Sequence, residues 1–85
     1  MAYLYILYSS TLDRYYVGHT TQRPEERLRK HLAHHDGFTA RANDWTIVYT
    51  EAFSSKNLAF AREKQIKAWK SKLKIRELVQ NNHFP

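Results

Sequence analysis

Tyr3-Leu4-Tyr5-Ile6-Leu7-Tyr8 and Arg14-Tyr15-Tyr16-Val17-Gly18-His19 are two runs of aromatic and branched residues separated by the turn-rich stretch Ser9 to Asp13. Such side chains fit a pleated, half-buried surface, and the separator has hairpin length, so the runs read as paired strands. Downstream, Pro24-Glu25-Glu26 marks a helix start, with proline in the first turn and carboxylates at the positive end of the dipole. Leu28 and Leu32, four apart, should face the sheet, and Gly37 is the expected stop. Asp36 to Asp44 reads as a loop before a third strand, Trp45 to Phe53. Ser54-Ser55 can cap a helix from about Lys56 to Lys70, in which Leu58, Ala59, Arg62, Ile66 and Trp69 recur at helical spacing. Ser71 can cap a third, carried by Ile75, Leu78 and Val79. Three strands cannot bury both faces against themselves. The order β-β-α-β-α-α therefore predicts an α/β (α+β layered) fold: a three-stranded antiparallel sheet covered by three helices.

A chain of 85 residues has room for one core, so a single domain over residues 1–85 is expected. Hydrophobic residues at 42% and aromatics at 14% are enough to fill it, which argues against a disordered tail. Cysteine is absent, which removes disulfides and thiolate metal sites from consideration. The apolar start, Met1 to Tyr8, is too short for a signal-peptide core or a membrane span, so a cytoplasmic protein with no membrane partner is expected. The net charge of +6 is unevenly placed. Residues 1–55 balance to zero, whereas residues 56–85 carry eight Lys/Arg against two Asp/Glu, 8 − 2 = +6. A basic region of that kind is an electrostatic footprint for a polyanion, though a solvated helix face has the same composition.

Five positions stand out against this background. Tyr5 and Tyr16 lie on adjacent strands, within reach of one cleft, although aromatic cross-strand pairs are usually packing. Arg27 and His31, four apart on the first helix, share a face offset by one residue from the Leu28/Leu32 stripe and so belong at the rim of the core. Glu63 lies at the edge of the second helix's apolar stripe. A carboxylate there is costly unless it meets a cation, a metal ion, or a salt-bridge partner such as Arg62 or a lysine.

In these features the chain resembles the GIY-YIG nucleases. Tyr3-Leu4-Tyr5 stands where that family has its first motif, with Tyr3 replacing the glycine, and Tyr16-Val17-Gly18 stands where it has its second. The helix with Arg27 and His31 and the later helix with Glu63 match the remaining motifs in order and spacing. The resemblance spans nearly the whole chain and is nearest to short, stand-alone members related to the N-terminal incision domain of the excision-repair protein UvrC. It implies a catalytic set of Tyr5, Tyr16, Arg27, His31 and Glu63 that hydrolyses phosphodiester bonds in nucleic acid, DNA ahead of RNA, in a DNA-repair setting. Tyr16 would accept the proton of the attacking water. A free phenol is only about 0.1% ionised at pH 7, so that role needs a cation beside it, and Arg27 is the expected one. Arg27 would also grip the phosphate, and Glu63 would hold one divalent cation, Mg²⁺ or Mn²⁺, whose other ligands are waters and the phosphate. His31 would relay a proton or bond the phosphate, and Tyr5 would orient the water or Tyr16. His19, next to Gly18, joins the pocket.

Other readings of the same residues are weaker. His31 and His35 have the spacing of a zinc pair, but position 32 is Leu where an H-E-x-x-H motif needs Glu. The main rival is a non-catalytic nucleic-acid-binding module. In it Arg41 and a stripe of Lys64, Lys67, Lys70, Lys72, Lys74 and Arg76 would contact phosphates. A pure binder has no need of the five-residue set, which favours an enzyme, with a partner protein as a source of specificity.

Overall fold

The computed structural model describes residues 1–33 and 42–81; the expected stop at Gly37, the first part of the loop from Asp36, and His34, His35 and Arg41 lie outside them. Strands β1 (Ala2–Ser9), β2 (Arg14–Thr20) and β3 (Thr46–Phe53) form an antiparallel sheet in the order β2-β1-β3. Helices α1 (Pro24–Ala33), α2 (Lys56–Ala68) and α3 (Lys72–Asn81) complete the order β-β-α-β-α-α. The expected fold is the one observed.

The central position of β1 explains its composition. Leu4, Tyr5, Ile6 and Leu7 are all buried, because a middle strand covered on both faces has no polar side to alternate with. Side chains still alternate between layers. Leu4 and Ile6, with Val17 and Tyr49, pack against Ile66 of α2, backed by Trp69 and by Ile75, Leu78 and Val79 of α3. Tyr5 and Leu7 lie on the other face with Tyr16, Trp45, and Leu28 and Leu32 of α1. The pairing of β1 with β3 shifts register between Ile6 and Leu7.

The helix signals hold at the residues that carry them. The Arg23 carbonyl accepts the N–H groups of Glu26 and Arg27, just ahead of Pro24, which needs no donor of its own. Ser55 Oγ accepts the Leu58 N–H, and Ser71 Oγ that of Lys74. Lys70, with φ 48°, adopts the left-handed conformation between α2 and α3, so α2 ends at Ala68, short of the expected Lys70. Leu58 is a correction to the expected stripe. It is 51% exposed, and the buried positions of α2 are Ala59, Glu63 and Ile66. Trp45, 2% exposed, precedes β3 rather than opening it.

Asp44 ties the hairpin turn to the approach to β3. Its carboxylate accepts from the hydroxyls of Ser9, Ser10 and Thr11 and from the Thr11 N–H. Donation led by the Ser9 hydroxyl holds this carboxyl below the ordinary carboxylate range.

Candidate active site

Register decides where the two tyrosines meet. Tyr5 lies directly opposite Gly18 on β2, and Tyr16 lies two residues back on the same face, opposite Leu7. The Tyr5 and Tyr16 ring centroids are 6.4 Å apart at 35°. The phenol of Tyr5 crosses over Gly18: a Cβ added there would come within 2.5 Å of Tyr5 Oη and 2.7 Å of Cζ. Glycine is required at this position by close approach, with no unusual backbone angle involved.

From α1, Arg27 hydrogen-bonds the Tyr5 side chain. Burial is the largest influence on that phenol and pushes it up to about 12, with the Arg27 hydrogen bond opposing. Tyr5 is therefore a neutral hydrogen-bonding group at any physiological pH and cannot serve as a base. Arg27 Nε is buried and has no hydrogen-bond partner among the described residues. His31 follows Arg27 by one turn of α1; its side chain is not among the described ones.

From α2, Glu63 reaches the opposite side of the β2 edge. It is 9% exposed, and each carboxylate oxygen has a partner: His19 Nδ1 at 2.7 Å from Oε1, and Lys67 Nζ at 2.8 Å from Oε2. Desolvation is the largest influence on this carboxyl and acts upward, but the Lys67 and His19 hydrogen bonds outweigh it and its pKa lies below the ordinary value. The salt-bridge partner of Glu63 is thus a lysine; Arg62 turns instead to Glu51, at 3.1 Å. Glu63 is also close enough to act on the Tyr5 phenol. Lys67 joins the two halves of the cluster, since the same ammonium that bonds Glu63 lies 5.9 Å from the centroid of the Tyr16 ring.

Tyr5, Tyr16, Arg27, His19 and Glu63 therefore converge at the β2 edge. The lysines expected to form one stripe are divided among different neighbours. Lys67 belongs to the cluster, Lys64 lies 5.4 Å over the Phe60 ring, and Lys72 pairs with Asp13. A cavity of about 330 Å³ lined by Tyr15, Tyr16, Val17, Ile66, Lys67 and Lys70 borders the cluster on the α3 side. Lys67 was legible only as one basic residue among several. Its four-residue spacing from Glu63 on a helix was the signal that gives it a specific place. Phe60, packed against His19 at 5.0 Å, carried no signal of its own.

Among the described residues no group of three or more His, Cys, Asp or Glu side chains is arranged to hold a metal ion, and no helix is long and apolar enough to cross a membrane. Compared with curated proteins and with solved structures, the chain has no significant match. The family model for the GIY-YIG catalytic domain matches residues 1–76. With that match over most of its length, the chain belongs to the GIY-YIG family of nuclease domains.

Proposed function

We propose that the protein is a metal-dependent endonuclease that hydrolyses phosphodiester bonds in DNA. The observation that carries this is the cluster at the β2 edge: the Tyr5 and Tyr16 rings lie 6.4 Å apart, Arg27 bonds the Tyr5 hydroxyl, and Glu63 is held by Lys67, whose ammonium lies 5.9 Å from the Tyr16 ring centroid. A guanidinium that can grip phosphate oxygens and a carboxylate that can hold a cation are the groups a phosphoryl-transfer site uses.

The chain's own residues divide the work as follows. Arg27 binds non-bridging phosphate oxygens, its orientation fixed by Tyr5. Tyr16 takes the proton of the attacking water, with the Lys67 ammonium 5.9 Å from its ring centroid. Glu63 holds the divalent cation, Mg²⁺ or Mn²⁺. A single carboxylate with hard oxygen donors fits such an ion when waters and phosphate complete the shell, and the lowered carboxyl pKa keeps it ionised. When bound, the ion supplies positive charge to the phosphate and the leaving oxygen. His19 and Lys67 hold Glu63 in place meanwhile, and His31 assists phosphate binding from α1. One observation favours the rival, a nucleic-acid-binding module that does not cut: both oxygens of Glu63 already have partners.

A cleavage assay with Mg²⁺ or Mn²⁺ on plasmid, branched and single-stranded DNA separates the two. The parent should cut at least one of these forms. Tyr16→Phe and Glu63→Ala should each lose at least about 100-fold, the scale of one general base or one group neutralising charge in the transition state. Undiminished cutting by a folded Glu63→Ala protein removes the metal assignment. A parent that binds DNA and never cuts duplex, branched or single-stranded forms favours the binding module.

A further inference from the structure

We propose that Phe60 and His19 form a stacking platform for one unpaired nucleobase next to the phosphate that is cut, so that the site takes strands with an exposed base rather than continuous duplex; this rests on the nuclease reading above. Phe60 lies on α2 three residues before Glu63, about 4.5 Å along the helix axis. It is 44% exposed, whereas the core-facing residues around it, Ala59 and Glu63, are buried. Its ring packs against His19 at 5.0 Å and 43°, and the Nδ1 of the same imidazole holds Glu63 Oε1 at 2.7 Å. The platform is thereby fixed to the carboxylate of the candidate active site through one side chain. Its position does not depend on a flexible loop.

The occupant follows from charge and shape. Lys64 Nζ lies 5.4 Å from the Phe60 centroid and is exposed, so a solvated cation beside the ring can pass to a phosphate as a base takes its place. On the other side of Glu63, Lys67 and Lys70 line the cavity beside Tyr16. Along α2 and into the turn that follows it, the features run aromatic face, carboxylate, and cations in a groove. Alternation of a stacking face with phosphate-binding cations is the pattern of single-strand recognition. A base inside a continuous duplex is stacked on both sides and cannot reach an exposed ring on a helix.

The test is fluorescence anisotropy in EDTA at low salt, which reads binding without cleavage, using a labelled 12-nucleotide DNA single strand and the blunt duplex of the same sequence. Phe60→Ala should weaken single-strand binding about five- to 150-fold, the range for loss of one base–aromatic stack, with duplex affinity changed less than about twofold. Phe60→Leu, apolar but without a π face, should behave like the alanine variant, and Phe60→Trp should retain parental affinity. Equal losses on strand and duplex, parental binding by Phe60→Leu, or a parent that does not bind the single strand would each overturn the proposal. Because no cutting is read, a parent that cuts no duplex, branched or single-stranded DNA but shows this Phe60 dependence would sink the nuclease reading and leave the platform standing. A parent that cuts one of these forms without the dependence would do the reverse.

Discussion

Gly18 illustrates how one missing side chain organises the cluster. Its Cα faces Tyr5 across the β1–β2 ladder, and the phenol occupies the space a Cβ would take. Two effects of Gly18→Ala oppose each other. Alanine costs the unfolded chain less freedom and by itself would stabilise a strand by about 0.5–1 kcal/mol. A contact of 2.5 Å with a ring that is 1% exposed and bonded to Arg27 cannot relax by a small rotation, and overpacking of this kind costs about 1–3 kcal/mol. The clash should win. Urea unfolding of Gly18→Ala is expected to show a net loss of about 1–2 kcal/mol, with nicking reduced further as Tyr5 and Arg27 are displaced together. A variant as stable as the parent would mean that the phenol does not lie over Gly18.

At the scale of elements, the hairpin turn and the approach to β3 are joined by a carboxylate more than 30 residues away in sequence. Asp44 accepts four hydrogen bonds from Ser9, Ser10 and Thr11, and these hold its carboxyl below the ordinary carboxylate range. A carboxyl whose folded pKa is depressed contributes stability that is fully present above its unfolded value. That contribution is lost as pH falls through the folded one. Asp44→Asn should therefore unfold at lower urea than the parent near neutral pH, and the gap should narrow from about pH 4 downward. A gap that is constant from pH 7 to pH 3 would show that the charge of Asp44 is not what joins these elements. Nothing local in the sequence announced this tie, because Asp44 sits in a loop and its partners lie in another turn. By contrast the strands and caps were legible, since alternating aromatics, Pro24, Ser55 and Ser71 act through their immediate neighbours. Leu58 was misassigned for the complementary reason. Helical spacing alone fits several stripes on α2, and only the position of the sheet selects the one through Ala59, Glu63 and Ile66.

For the whole molecule, the surplus of positive charge in residues 56–85 was evident from composition, but its division between internal pairs and free surface was not. Lys67 is held by Glu63, Arg62 by Glu51 and Lys72 by Asp13, whereas Lys70 and Lys74 have no carboxylate partner among the described residues. Counterion theory makes this division measurable. Each lysine that neutralises a phosphate adds about 0.7 (single strand) to 0.9 (duplex) to the slope of log affinity against log salt. Lys70→Gln and Lys74→Gln are each expected to lower the slope by close to that amount, while changing affinity for different sequences about equally, as non-reading phosphate contacts do. Lys72→Gln should lower it by less, because Lys72 must first leave Asp13, and that pair is exposed and weakened by the same salt. Titrating each variant against one DNA strand between about 50 and 200 mM salt reads all three slopes. If Lys70→Gln and Lys74→Gln leave the slope unchanged, the free cations of the C-terminal third do not contact the nucleic acid, and binding has to be assigned to Arg27 and the cluster around Glu63.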